Sequence, residues 1–152
     1  VLNTGNKSEL AVGYCTMYGD MIGGLAPIAD LYKTEVYDLC KWYNRKGPRT
    51  RRIPEAILSK APSAELRPGQ RDDDDLPAYD VLDGILEQYL EKKLEAEEIA
   101  RREQQDLALV KRVIDLVGRN EYKRNQAPPA LRVHERAFGV GWRYPIMGRF
   151  PS

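Results

Sequence analysis

Histidine is almost missing from this sequence: His134 is the single one in 152 residues. Any serine–histidine or cysteine–histidine nucleophilic system would have to rest on it. It lies in a polar stretch with no matching nucleophile motif, and reads as a surface residue. Cysteine is nearly as scarce, with only Cys15 and Cys40. Both sit in helix-like, partly apolar stretches and read as buried free thiols of a reducing compartment, with a disulfide as the alternative. No apolar run approaches the roughly 20 residues that span a bilayer. Surplus charge of one sign is absent too: charged residues make up 31% of the chain and cancel to net +1. A bulk electrostatic grip on nucleic acid or an anionic membrane is therefore excluded. The N-terminus has no basic region followed by an apolar one, so no signal peptide is expected. Together these absences give the expectation of a cytoplasmic protein, long enough for one domain with a modest core. There is no initiating methionine either, and Val1 reads as the middle of something larger.

What is present is helical periodicity. A first helix is predicted from about Ser8, its N-cap, to Met17, with Leu10, Tyr14 and Met17 on one face. A second runs from about Asp30 to Tyr43, burying Val36, Leu39, Cys40 and Tyr43. A third, from about Ala78 to Lys93, turns Val81, Leu82, Ile85, Leu86, Tyr89 and Leu90 inward. A fourth, from about Asp106 to Tyr122, carries Leu107, Val110, Val113, Ile114 and Val117 at helical spacing. Between them, "MIGGLAPIAD" suggests a buried turn, "NRKGPRTRRIP" a basic surface loop, and "LEAEEIARREQQD" an exposed helical connection. The tail "FGVGWRYPIMGRFPS" is expected to lie extended over the surface. Strand signals are few: Val1 to Asn3, and more weakly "LRVHERAF". Since a lone strand is unstable in water, the chain reads as the C-terminal half of a doubly wound α/β domain, with a parallel sheet formed mostly by residues outside it.

Chemistry concentrates where that first strand meets the first helix. In open α/β sheets ligands bind outside the carboxyl ends of strands, and here stand Asn3, Thr4, Gly5, Asn6, Lys7 and Ser8. The loop is no Walker A motif, because the spacing Gly-x-x-x-x-Gly-Lys-Ser/Thr is absent. Glu9 has two readings, a dipole-favoured surface carboxylate or a Mg²⁺ ligand beside a nucleotide. Lys33, where a helix dipole disfavours a cation, is either a solvated lysine or one reaching for phosphate. Asp72 to Asp75 resemble a metal cluster, yet a run of like charges more often forms a mobile solvated loop. Lys123 and Arg124 complement the C-terminal dipole of the fourth helix, with anion binding as the competing reading.

Three long blocks carry a resemblance: "TGNKSELAVGYCTMYGDMIGGLAPIADLYKTEVYDL", "IPEAILSKAPSAELRPGQRDDDDLPAYDVLDGIL" and "EYKRNQAPPALRVHERAFG". Together, in this order, they resemble the ATP-dependent synthetase domain of NAD synthetases, particularly the glutamine-dependent, two-domain kind. The resemblance implies that ATP adenylylates the nicotinate carboxylate of deamido-NAD and that ammonia then displaces AMP. Ammonia would come from glutamine through a glutaminase domain outside this chain, and Mg²⁺ would be required. Thr4, Lys33 and Ser63 would contact ATP. Glu9 would bind Mg²⁺ and lie beside deamido-NAD, whose site Tyr14, Cys15, Thr16, Met17 and Lys123 would line. Small ammonia-dependent relatives carry Lys at the position of Met17, Asp at that of Gly24 and His at that of Tyr122, so the chain fits the two-domain branch better. The pyrophosphatase signature Ser-Gly-Gly-x-Asp-Ser is nowhere in these residues, so the isolated chain is expected to be inactive. The family implies a homo-oligomer. The alternatives are another ATP pyrophosphatase, such as a GMP or asparagine synthetase, and a non-catalytic helical oligomerisation module. In that last reading the charged helix and the apolar "GVGWRYPIMG" would pack on a partner.

Overall fold

The computed structural model describes residues 1–48, 52–62, 72 and 76–146. Its first helix, α1 (Lys7–Val12), is shorter than its apolar spacing suggests because both ends are fixed by other groups. Asn6, not Ser8, is the N-cap: its side-chain oxygen accepts the Glu9 N–H, and Glu9 accepts the Asn6 N–H in return. At the other end Gly13 takes φ +71°, and a Cβ there would stand 2.0 Å from Asn120 Oδ1. Only glycine fits both demands. Tyr14 to Met17, expected inside the helix, therefore form an irregular turn after it.

Helix α2 (Lys33–Lys46) begins later than Asp30, because the Asp30 carboxylate is already committed to Lys7 and to the Val133 and His134 amides. Tyr32 opens it, and its N–H donates to Glu35 Oε2. The expected buried stripe is not formed: no residue of α2 is fully buried and Leu39 is 44% exposed. The side-chain bonds tying α2 to α1 and α4 are in its first turn, through Lys33 and Thr34, which leaves the stripe only partly covered. After the short α3 (Glu55–Ser59), the core is built by α4 (Tyr79–Leu90), α5 (Ala96–Glu103) and α6 (Leu107–Arg119). Leu82, Ile85, Leu86, Leu90, Ile99, Val110, Val113 and Val117 are fully buried there, together with Ala11 and Val12 of α1. Burial of each such aliphatic side chain contributes about 1.5–3 kcal/mol. The stretch read as an exposed connection is α5, and it reaches the core through Ala96 and Ile99. Val81 and Tyr89 are half-buried, and Leu107, next to the capping Asp106, is exposed. The fourth expected helix breaks at Asn120, so Glu121–Arg124 form a separate turn, α7.

No strand forms among the described residues. Val1 to Asn3 make only a parallel bridge, with the Asn3 N–H donating to Leu25 O (2.8 Å) and the Gly24 N–H to Val1 O (3.0 Å). "LRVHERAF" is not a strand because the Val133 and His134 N–H groups donate to Asp30 instead of to a ladder. The doubly wound sheet is thus not built by these residues. The buried turn is present: Met21, Ala26 and Ala29 form a second small core with Leu10. In the tail, Trp142 packs edge-on against Tyr89 rather than lying free on the surface. Both cysteines are free thiols, half-buried rather than buried. Among the described residues no helix is long and apolar enough to cross a membrane.

Candidate functional site

The first turns of α1 and α2 face the start of α4, and carboxylates organise the junction. Asp83 accepts from Ser8 Oγ through one oxygen and from the Thr34 N–H and hydroxyl, both 2.8 Å, through the other. Burial holds the Asp83 carboxyl above its ordinary range, and those donors pull it back down. Ser8 Oγ in turn accepts the Lys33 N–H at 2.9 Å. The α2 N-terminus is thereby pinned to α1.

On this frame Lys33 and Glu9, 24 residues apart, meet with Nζ 2.8 Å from Oε1. Each side chain keeps about a fifth of its surface exposed. Lys33 Nζ also lies 5.2 Å from the centre of the Tyr79 ring. The Tyr79 hydroxyl donates to Asp72 Oδ2 at 2.8 Å. Burial raises the phenol well above its usual range, and the bond to Asp72 and the charge of Glu9 raise it further. Asp72 is 5% exposed, so the reading of a solvated loop fails for it: its carboxylate is buried against Tyr79. Asp73 to Asp75, and with them the rest of that reading, lie outside the described residues, as does Ser63. Thr4 is exposed.

At the other end of α1, Lys123 Nζ donates to Gly13 O (2.7 Å) and Cys15 O (2.9 Å). It closes a cavity of about 510 Å³ lined also by Tyr14, Thr16, Gly19 and Asp20. Met17 stands outside this lining and accepts from the Gln126 amide through its sulfur. Burial pushes the Cys15 thiol up to about 11 against the opposing charge of Lys123. A thiol held protonated in this way is a poor nucleophile.

Several structural side chains were not visible as such in the sequence. Lys7 is fully buried between Asp30 (2.8 Å) and Glu91 (2.7 Å). Arg124, expected to complement a dipole, is buried and donates to the carbonyls of Leu10, Ala11 and Val117 while pairing with Glu121. It therefore serves the C-terminal ends of both α1 and the fourth expected helix. His134 is more than a surface residue: its Nε2 lies 2.9 Å from Glu35 Oε2, and its ring packs on Tyr32. Among the described residues no group of three or more His, Cys, Asp or Glu side chains is arranged to hold a metal ion. Glu9 offers a single hard-oxygen carboxylate, which matches Mg²⁺ held by one carboxylate plus phosphate oxygens.

Comparison with known proteins bears on this arrangement. The sequence model of the family described as NAD synthase matches residues 1–127. A glutamine-dependent NAD(+) synthetase of Synechocystis sp. is 55% identical over 150 residues, covering 99% of this chain and 26% of the relative. One from Thermotoga maritima is 52% identical over 151 residues, with the same coverage. The chain thus spans about a quarter of the length of the curated relatives it matches. The crystal structure of a glutamine-dependent NAD(+) synthetase from Cytophaga hutchinsonii superposes with a TM-score of 0.68 at 24% identity, over 97% of this chain and 24% of that one. The helical arrangement described above is therefore the fold of the corresponding part of that structure.

Proposed function

The chain belongs to the NAD synthase family, and from that premise we propose that it forms the C-terminal part of the synthetase domain of a glutamine-dependent NAD synthetase. The reaction is ATP-dependent amidation of deamido-NAD. A nicotinate carboxylate oxygen attacks the α-phosphorus of ATP and pyrophosphate leaves. Ammonia then attacks the acyl carbon, AMP departs with the carboxylate oxygen, and the nitrogen loses a proton to give the amide. Glutamine supplies the ammonia through a glutaminase domain carried by the remaining length of the enzyme, which also brings the phosphate-cradling signature. The helices described above would cover a doubly wound parallel sheet. The exposed Val1 and Leu2 and the parallel Leu2–Leu25 bridge support that placement. The reading entails a cytoplasmic, homo-oligomeric enzyme.

The observation that carries the proposal is the Glu9–Lys33 pair at 2.8 Å, one α1 away from the Lys123-closed cavity. Lys33, with Thr4 and Ser63, takes the ATP side, where a cation neutralises phosphate charge as it shifts. Glu9 would hold Mg²⁺, which when bound would supply charge screening of the phosphates against the incoming carboxylate. Lys33, whose ammonium lies 2.8 Å from Glu9, would reach the phosphate itself. Deamido-NAD lies along Tyr14 to Met17 with Lys123 at its end.

The test is steady-state NAD formation by the full-length enzyme, with ammonium supplied directly so that the glutaminase step is bypassed. Glu9→Gln or Lys123→Ala is expected to lower kcat/KM about a hundredfold, the order set by losing one charge-stabilising group, with the melting temperature nearly unchanged. Wild-type turnover in either variant would overturn the assignment.

A further inference from the structure

Asp72 is a buried acid in a run of four aspartates. A run of like charges belongs in solvent, and a buried carboxylate is costly unless its oxygens are engaged. Asp72 engages only part of itself. Oδ2 accepts the Tyr79 hydroxyl at 2.8 Å, while Oδ1 is buried with no hydrogen-bond partner among the described residues. The backbone of the same residue is fixed on both sides: its N–H donates to Pro62 O at 3.0 Å, and its carbonyl accepts the Leu76 N–H at 2.9 Å. Pro62 is the residue before Ser63. The ring that Asp72 holds lies 5.2 Å from Lys33 Nζ.

We propose that Asp72 is a positioning residue for ATP, acting through Tyr79 on Lys33. The proposal rests on the reading of Lys33 as a phosphate ligand. Lysine's four-carbon stem has many rotamers and its ammonium is a point charge without directional preference. Something must hold it where the phosphates arrive. The Tyr79 ring face is that seat, since an ammonium over an aromatic ring is held by the ring's quadrupole. The hydrogen bond to an ionised carboxylate fixes the ring and drives electron density into it, which strengthens the attraction. A charge-assisted bond is the stronger kind, which is why an acid rather than a neutral acceptor stands behind the hydroxyl. The charge of Asp72 is held one ring away from the ammonium, so it orients Lys33 without neutralising it as a direct ion pair would. Asp72 touches neither substrate; its effect is confined to how well the ATP-side cation is placed.

The test uses the full-length enzyme, with KM measured separately for ATP and for deamido-NAD, and melting temperatures alongside. Tyr79→Phe keeps the ring and removes only the bond to Asp72; Asp72→Ala removes the acceptor; Asp72→Asn keeps an acceptor without the charge. Both Tyr79→Phe and Asp72→Ala keep the ring and weaken only its hold on Lys33, so each is expected to raise KM for ATP about two- to fivefold, a part of the whole cation–ring contact. The KM for deamido-NAD and kcat should stay within about twofold, Asp72→Asn should recover part of the loss, and the double variant should be no worse than the worse single one. If Asp72→Ala fails to fold, Tyr79→Phe and Asp72→Asn decide alone. An unchanged KM for ATP in Tyr79→Phe, or both KM values rising together with a lower melting temperature, overturns the proposal. Lys33→Ala separates this from the underlying assignment. If it leaves KM for ATP unchanged, Lys33 is no phosphate ligand and the proposal falls with that reading. If it raises KM for ATP while Tyr79→Phe does not, only the role of Asp72 falls.

Discussion

Lys7 carries its ammonium group to a place that solvent does not reach, 2.8 Å from Asp30, 2.7 Å from Glu91 and 5.1 Å from the centre of the Tyr32 ring. Asp30 also accepts the Val133 and His134 amides, at 2.7 Å each. One cation thereby ties α1 to the turn before α2, the end of α4 and the segment that crosses over them. Removing one member of a buried ion cluster leaves uncompensated charge behind, which costs about 3–5 kcal/mol. Lys7→Met is expected to lower the unfolding free energy of the full-length protein by that amount, measured by denaturant titration. Lys41→Met, which breaks an exposed pair with Asp38, should change it by less than about 0.5 kcal/mol. Equal effects would show that the buried cluster is not what holds these elements. Lys7 had a faint signal in the sequence, since it precedes Leu10, Ala11 and Tyr14 at i+3, i+4 and i+7, on the apolar side of the helix. The residue type argues the other way, because lysine is almost never fully buried unless paired. The partners lie 23 and 84 residues away, beyond any local spacing. Arg124 is the same case, its carbonyl partner Ala11 being 113 residues distant. Glu9, Lys33 and Lys123 were singled out in the sequence, but that Glu9 and Lys33 pair across 24 residues is seen only in the structure.

Helices were legible as elements and illegible at their ends, and α1 shows why. Its apolar spacing continues to Met17, but the chain leaves the helix at Gly13 because Asn120, from the far side of the bundle, fills the space where a side chain would stand. Asn120 Nδ2 donates there to Val12 O at 2.9 Å, so the stop signal is tertiary. The early stop is what releases Tyr14, Cys15 and Thr16 to line the cavity beside Lys123. Asn6→Ala should cost about 1 kcal/mol, the usual loss of an N-cap. Gly13→Ala should cost more. The left-handed backbone contributes about 1–2 kcal/mol and the clash with Asn120 about 1–3 kcal/mol. Combining Gly13→Ala with Asn120→Ala removes the two nearest contacts, at Asn120 Oδ1 and Cγ, while leaving the Asn120 Cβ 2.7 Å away and the backbone strain. Relative to Asn120→Ala alone, the glycine substitution should then cost less than it does in the wild-type background. If Gly13→Ala costs no more than Asn6→Ala, measured by equilibrium unfolding, the steric account of this helix end is wrong. α5 illustrates the reverse error. Its charged composition conceals Ile99, a single apolar residue that is fully buried between α4 and α6.

At the scale of the molecule, two kinds of contact coexist. The α4–α6 bundle is built from neighbours in sequence, and the buried faces of α4 and α6 follow helical periodicity. The candidate site is built from segments that only the fold brings together: the α1–α2 junction, Asp72 with Tyr79, and Lys123. Beside it the surface changes character, with Val1 96% and Leu2 64% exposed and linked to the rest through one parallel bridge. Under the proposed reading, Lys33 on one side and Lys123 on the other would neutralise only part of a substrate pair that together carries two phosphate chains. Uncompensated phosphate charge in a partly dry site is prohibitive. The 152 residues alone should therefore melt as a helical bundle, by circular dichroism, yet form no detectable NAD from deamido-NAD, ATP, Mg²⁺ and ammonium. The full-length enzyme should form it under the same conditions, detected by chromatography. Measuring helicity alongside turnover keeps an unfolded chain from passing as an inactive one. Turnover by the isolated chain would mean that Glu9, Lys33 and Lys123 suffice for the phosphates, and that no second wall is needed.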